Sequence, residues 1–539
     1  MIRKYLKINN SLLLSAGIGI LLALNGCSDS GGGGGTETTT GTNPFSISGN
    51  LTYDFVPINS SNELDYANTE QKPIRWAKVS LLEADNTLIQ DTTSDATGDF
   101  SFSVTDAPTN AKIRVYSQSP YIPIIVEDNT NSDAVYAMET SVFTSVGDLV
   151  NRDINAASGW SGTNSAGSYA TTRVAASFAI LDSMLTASLA FLADRPNISF
   201  PELKVNWSIR NIATSGNKAI GQIGTSHWDG SELYILGYAD NDTDEYDNHV
   251  NVHEWGHYFE SKLGRSDSIG GSHSAGDILD PRVAFGEGWG NAISAITLYP
   301  DYFYRDTYGT RQQSGFSINM ETSTDPTPGY WSEASIQQII YDIFDATNDG
   351  TDSISLSLGE MYDILVGTQK TTPALTTIFS FIDALKDNSS ASVDAALDAL
   401  VSGFNISSVT DEYGSGETHH NGYTSFLPIY TTITIGNNAN IWMQGVGESA
   451  FSNRMTDNRY IKFVGDGNSV TITVDPEADV DIALVVYENG TSVASVDGYY
   501  AGVNETASFN TTSNSTYVIV VRGYNVANLK SHTVNVDIQ

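Results

Sequence analysis

His253-Glu254-Trp255-Gly256-His257 is the stretch on which the reading of this chain turns. On a helix, residues i and i+4 leave the same face, so two imidazoles at this spacing can share one metal ion. The residue after the first histidine then presents a carboxylate to a water held there. The surroundings predict a helix. Asp244 and Asp247 predict an N-terminal cap with acidic side chains in the first turn, and Gly264 predicts the other end.

A catalytic zinc ordinarily has three protein ligands and one open position, so a third ligand has to be found. Phe285-Gly286-Glu287-Gly288-Trp289-Gly290-Asn291 starts a second helical run that continues through Ile293 and Leu298. The interval from His257 to Glu287 leaves room for the first helix to end, a Gly/Ser-rich loop to turn, and a second helix to bring a carboxylate back. Two histidines and a glutamate make the ligand set of thermolysin and carboxypeptidase A. At these residues the chain resembles the gluzincin metallopeptidases, and within them the thermolysin and fungalysin families. The likeness to fungalysin is strongest at Gly286-Glu287-Gly288-Trp289-Gly290, and the resemblance covers Leu233 to Ile343.

That resemblance implies zinc on His253, His257 and Glu287, with Glu254 as general base in peptide-bond hydrolysis. Zinc lowers the pKa of water and polarises the scissile carbonyl. A carboxylate one hydrogen bond away takes the water proton and delivers it to the leaving amine, and the oxyanion needs a further donor. The chain departs from the families twice. They carry Asp four residues after the ligand Glu, where this chain has Asn291; its carbonyl still accepts an imidazole N–H but brings no charge. In Tyr330-Trp331-Ser332-Glu333-Ala334-Ser335-Ile336, Tyr330 takes by register the place of the families' catalytic His, and a phenol can serve as the oxyanion donor.

The remaining histidines have blander readings. His249 lies one turn before His253 and is expected to pack or to support the ligands. His273, in the loop between the ligand helices, reads as a solvated loop residue, with substrate contact as the alternative. His419-His420 is the rival to Tyr330 as donor, but without a matching context it reads as a surface pair. Asp240, Asp242 and Asp244 alternate as a calcium loop would, so Ca2+ is an expected second cofactor beside Zn2+. Asp345-Ala346-Thr347-Asn348-Asp349-Gly350 is a weaker match to the same idea.

Outward from this core, two all-β regions are predicted. From Phe45 to residue 118, Ala77–Leu81 and Phe100–Val104 alternate around the turn signal Asp95-Ala96-Thr97-Gly98. This stretch resembles the carboxypeptidase-regulatory or transthyretin-like modules. Residues 119–429 form the expected metallopeptidase domain. Its first helix ends before Pro196 and carries Val174, Phe178, Leu181, Leu185 and Leu192. Strands follow at Leu203–Trp207 and Leu233–Leu236, and helices at Ile336–Ile343, Met361–Leu365, Leu375–Leu385 and Val393–Leu400. Residues 430–539 return to strands, with Glu488-Asn489-Gly490-Thr491 as a hairpin turn. They resemble the C-terminal module attached to many secreted bacterial peptidases. The expected fold is therefore multidomain: an α+β thermolysin-like metallopeptidase core flanked by an N-terminal and a C-terminal β-sandwich.

The N-terminus predicts an address. Arg3, Lys4 and Lys7 precede an apolar run from Leu12 to Leu24, as in a secretory signal peptide spanning residues 1–26. Leu24-Asn25-Gly26-Cys27 resembles the lipobox of bacterial lipoproteins, which implies lipidation of Cys27, palmitate included, and a membrane anchor in the cell envelope, at the outer membrane or cell surface. Residues 27–44, with the run Gly31–Gly35, are the expected flexible tether.

Composition excludes other classes. With 26 Lys+Arg against 63 Asp+Glu and a formal charge of -37, the chain lacks the cationic surface that nucleic acid requires. A single cysteine among 539 residues excludes internal disulfides and Cys-ligated zinc. The leading expectation is a zinc endopeptidase acting on extracellular proteins or peptides. Its rivals are an aminopeptidase on the same core and a weakly catalytic surface protein for adhesion or polymer binding.

Overall fold

The computed structural model describes residues 45–105, 108–144, 149–347, 353–444, 452–498, 500–524 and 530–538. The expected signal peptide, Cys27 and the tether lie outside the described residues, as do Asn348, Asp349 and Gly350 of the weaker acidic loop.

The first strand, Phe45–Phe55, alternates between buried and half-buried positions along its whole length, so Ile47, Leu51 and Tyr53 face the core. It pairs antiparallel with Asp99–Val104 and Glu70–Pro73. Its other partners come from beyond residue 118: Leu149–Asn151 and Ile154–Ala156 run parallel to it. A second sheet joins Lys78–Glu83, Leu88–Thr93, Ala111–Tyr116 and Ala137–Glu139. Strands Ala137–Glu139, Leu149–Asn151 and Ile154–Ala156 thus extend sheets begun before residue 118, an exchange that local alternation does not announce.

In the middle of the chain, Ile124–Asp128, Leu203–Trp207 and Leu233–Ile235 run parallel, with His227–Trp228 as an antiparallel edge. Parallel neighbours need a crossover, and helix α1 (Val174–Asp194) supplies the first. It is long and apolar enough to cross a membrane, yet Phe178, Leu181, Leu185 and Phe191 are buried inside the fold. The ring of Phe191 stacks on Phe259 at 4.6 Å and meets Trp255 at 5.6 Å, which seats α1 on helix α2 (Asn248–Lys262). Helix α3 (Pro281–Thr297) and helix α4 (Glu333–Phe344) continue the layer, α2 packing on α3 and α3 on α4. Four further helices, Leu358–Val366, Thr368–Thr371, Ile378–Asp387 and Ala391–Gly403, close this region.

Two further sheets form the C-terminal part. Tyr430–Thr432, Asn458–Val464, Thr516–Tyr524, Asp481–Glu488 and Thr491–Val496 make one, and Asn437–Met443, Lys530–Ile538, Ser469–Asp475 and Glu505–Asn510 the other. Asn489 and Gly490 both have positive φ, as the predicted two-residue hairpin turn demands. Between these sheets lies a separate apolar core that includes Ile461, Phe463, Ile472, Leu484 and Ile519. The larger core runs unbroken from Phe45 through α1–α4 to Tyr460 and Val520. The molecule is thus a multidomain assembly of sandwich-like sheets around a helical layer.

Candidate metal centre

Helix α2 does place His253 and His257 on one face, and α3 carries Glu287 to them. Among the described residues, these three form a cluster whose ligand atoms lie within 4.8 Å of one another. The His253 and His257 Nε2 atoms are 3.0 Å apart, and each is 3.3 Å from Glu287 Oε2. A zinc ion about 2.0–2.1 Å from each of three tetrahedral ligands needs those ligands roughly 3.3 Å apart, so the donor set fits.

The close approach of the helices depends on two glycines of Gly286-Glu287-Gly288-Trp289-Gly290. A Cβ on Gly290 would stand 2.7 Å from His253 Nδ1, and one on Gly288 would stand 2.6 Å from Ile336 Cβ on α4. Gly290 therefore clears the ligand imidazole and Gly288 admits α4. Asp280 caps α3 by accepting the Arg282 N–H, with Pro281 at the first helical position.

Supporting contacts fix the ligand tautomer. Asn291 Nδ2 faces two acceptors, Glu333 Oε1 at 2.7 Å and Gln337 Oε1 at 2.9 Å, so its Oδ1 is the atom turned to His253 Nδ1, 2.8 Å away. His253 Nδ1–H donates there, leaving the Nε2 lone pair facing the centre. The charge missing at position 291 is thus present one step out, on Glu333. On the other ligand, Glu260 Oε2 stands 4.0 Å from His257 Nδ1. Replacing Asn291 by Ala is expected to lower metal affinity about 10- to 100-fold, read by competition with a chelator of known affinity.

Glu254, buried at 8% exposure, points to the sheet edge, where its Oε2 accepts the Trp228 backbone N–H at 3.0 Å. This pins the expected general base next to an edge strand, a contact that nothing in the local sequence signals.

Several expectations are corrected. Tyr330 is not at the centre. Helix α4 starts at Glu333 with Ser332 as its cap, so Tyr330 precedes the helix and turns away, packing on Trp331 and Phe379. There it lines a small cavity with Pro281, Phe426 and Arg459, and burial, with Glu417 adding, raises its phenol pKa. The helix cap is also different. Asp247 is the cap residue of α2 but makes no capping bond; its carboxylate instead accepts from the Thr307 N–H at 2.7 Å and the Thr307 hydroxyl, and the first turn holds no acidic residue. The N–H of Gly264 does bond back to the Phe259 carbonyl at the other end.

The second cluster changes membership. Asp242 and Asp244 meet Asp306, not Asp240, whose carboxylate accepts the Arg311 N–H and whose backbone sits at φ 61°. Asp306 comes from strand Phe303–Tyr308, beside the Thr307 that holds Asp247. One oxygen each of Asp242 and Asp244 is buried without a hydrogen-bond partner. Burial and mutual repulsion push Asp306 up to about 7, burial pushes Asp242 up to about 6, and Asp244 rises well above the carboxylate range for the same reasons. Asp244 is buried and its other oxygen accepts the Ser226 hydroxyl, while Asp242 and Asp306 are half-buried; carboxylates that repel one another here are the surroundings a hard cation would relieve.

The other histidines sort as follows. His249 is buried, with Nδ1 3.1 Å from Ser294 Oγ, and burial lowers its pKa. His419 pairs with Glu417 at an exposed position, and His420 accepts the Gly422 N–H. His273 is brought to the centre, with Nε2 3.2 Å from Glu287 Oε2.

No family model matches the sequence, and no curated protein matches it. Solved structures give partial likenesses. The pre-peptidase C-terminal domain of a collagenase from Bacillus anthracis is 16% identical, over 20% of this chain and 93% of that one, at a TM-score of 0.16. CorA, a surface-associated copper-binding protein of Methylomicrobium album, is 13% identical over 20% and 98% of the two chains, at 0.16. Aeromonas hydrophila PliG, a periplasmic inhibitor of g-type lysozyme, is 16% identical over 20% and 97%, at 0.15.

Proposed function

We propose that this chain is a zinc endopeptidase with a thermolysin-like core, anchored through lipidated Cys27 and acting on extracellular proteins or peptides. The observation that carries the reading is the convergence of His253, His257 and Glu287 at zinc spacing with Glu254 held beside them. When bound, zinc would supply Lewis-acid polarisation of a carbonyl and a lowered pKa for water. The chain's own residues do the rest. Asn291 holds His253 in the tautomer that faces a metal, and the Trp228 N–H aims the Glu254 carboxylate. Glu254 takes the proton of the attacking water and returns it to the leaving amine.

The test uses the form beginning at Ser28, assayed on an unfolded protein. Cleavage is expected to stop with a zinc chelator and return with added zinc. A protein that binds zinc and cleaves neither proteins nor peptides would leave the adhesion or polymer-binding reading in its place.

The same proposal assigns calcium to Asp242, Asp244 and Asp306, carried by their clustering and by the unpartnered oxygens of Asp242 and Asp244. A cation at 100 times its dissociation constant adds about 2.7 kcal/mol to stability. Added calcium is therefore expected to raise the thermal midpoint of the unaltered protein, with Asp306→Asn removing most of the rise.

A further inference from the structure

The metal-facing side chains are not the whole of the centre. His273 reaches Glu287 Oε2, the oxygen that His253 and His257 also approach. Its side chain is 30% exposed, against 8% for His253 and Glu287, so it enters from the solvent side, where a substrate arrives. It stands outside the set of three ligand atoms grouped within 4.8 Å.

The imidazole is held on both sides. Glu333 Oε2 lies 2.8 Å from its Nδ1, and the other oxygen of that carboxylate accepts from Asn291 Nδ2 at 2.7 Å. One carboxylate therefore fixes both His273 and the amide that orients His253. The loop is clamped as well. Asn453 Nδ2 donates to the Gly270 and Ser272 carbonyls at 3.1 and 3.0 Å, and Arg454 donates to Ser272 and pairs with Asp277. Gly270 and Gly271, at φ 59° and 102°, let the chain turn into this clamp.

Both neighbours of the ring are carboxylate oxygens, which accept hydrogen bonds, so both ring nitrogens face acceptors. The Nε2–H is then held at the solvent-side edge of the centre, beside Glu287 Oε2, where a developing oxyanion would need a donor. Resting on the peptidase reading, we propose that His273 is the catalytic hydrogen-bond donor to the scissile carbonyl oxygen and that Glu333 is its positioning residue. Water oxygen bonds to the carbonyl carbon, the C–N bond breaks, and the water proton passes through Glu254 to the amine. His273 donates a hydrogen bond throughout and keeps its proton.

The experiment uses the full-length chain loaded with zinc, with His273→Ala and Glu333→Gln variants. Three quantities are read: zinc affinity by chelator competition, the dissociation constants of a phosphinic peptide and of a thiol-terminated peptide, and kcat with KM. The phosphinic group mimics the tetrahedral oxyanion and the thiol does not. His273→Ala is expected to keep zinc and thiol-peptide affinity but to lose about 10²–10³-fold in phosphinic-peptide affinity and kcat, with KM little changed. Glu333→Gln is expected to show a smaller loss of the same two quantities, with weaker zinc binding through Asn291. Unchanged phosphinic affinity and kcat in His273→Ala would overturn the proposal, as would equal losses for zinc and both peptides, which would make His273 a ligand or a structural residue. If the unaltered chain binds neither zinc nor the phosphinic peptide, the peptidase reading itself falls, and this assignment falls with it.

Discussion

Glu254→Gln is expected to lower kcat by about 10²–10⁴-fold while leaving zinc bound. The substitution preserves shape. The Glu254 carboxylate accepts one backbone N–H, from Trp228 at 3.0 Å, and an amide carbonyl can accept the same bond. Glu254 is also outside the three-residue ligand cluster, so zinc affinity has no reason to change. What the amide cannot do is take a proton from water and return it to the leaving amine. The loss corresponds to about 3–5 kcal/mol in the barrier. Steady-state kinetics on a quenched peptide, paired with chelator titration, read the two halves separately. A variant that still cleaves at the original rate would remove Glu254 from the mechanism. One that loses zinc would show that the residue acts structurally.

The candidate ligand cluster was legible because it obeys a local rule. His253 and His257 are four apart on one helix, and Glu287 lies in a second helical run at a distance a loop can close. The groups that tune them were not legible, because their partners are distant in sequence. Trp228 meets Glu254 through the edge of a sheet, and Asp306 joins Asp242 and Asp244 through a strand some sixty residues on. Tyr330 packs elsewhere for a different reason: register assumed that α4 begins early enough to aim it. Ser332 caps the helix, so Glu333 is the first side chain turned toward Asn291, and the phenol falls back into an aromatic cluster. A cap signal was available in Ser332-Glu333, and it would have pointed to Glu333. The fold shows the same split. Alternation located most strands, whereas the parallel return of Leu149–Asn151 and Ile154–Ala156 to the first strand is a long-range pairing.

Arg173→Met is expected to destabilise the protein by about 3–5 kcal/mol. The side chains of Arg173 and Glu245 are 5% and 0% exposed, and they form a buried ion pair. The guanidinium also donates to the Gly237 carbonyl at 2.6 Å and lies 4.2 Å from the Tyr169 ring centre. Removing it leaves a carboxylate in the interior with the Thr243 and Tyr169 hydroxyls as its remaining partners. Contrast Arg195–Asp363, where the side chains are 37% and 55% exposed; breaking that pair is expected to cost no more than about 1 kcal/mol. Glu245 stands three residues before α2, between Asp244 of the acidic cluster and the helix that bears His253. Strain at Arg173 should therefore reach the metal centre, and zinc affinity should fall with stability. The double variant Arg173→Met with Glu245→Gln removes the orphaned charge, so it should be more stable than Arg173→Met alone. Denaturant midpoints for the four proteins of this cycle decide the matter. Additive losses would mean that the pair is uncoupled, and that the start of α2 is held by Asp247 and Thr307 instead.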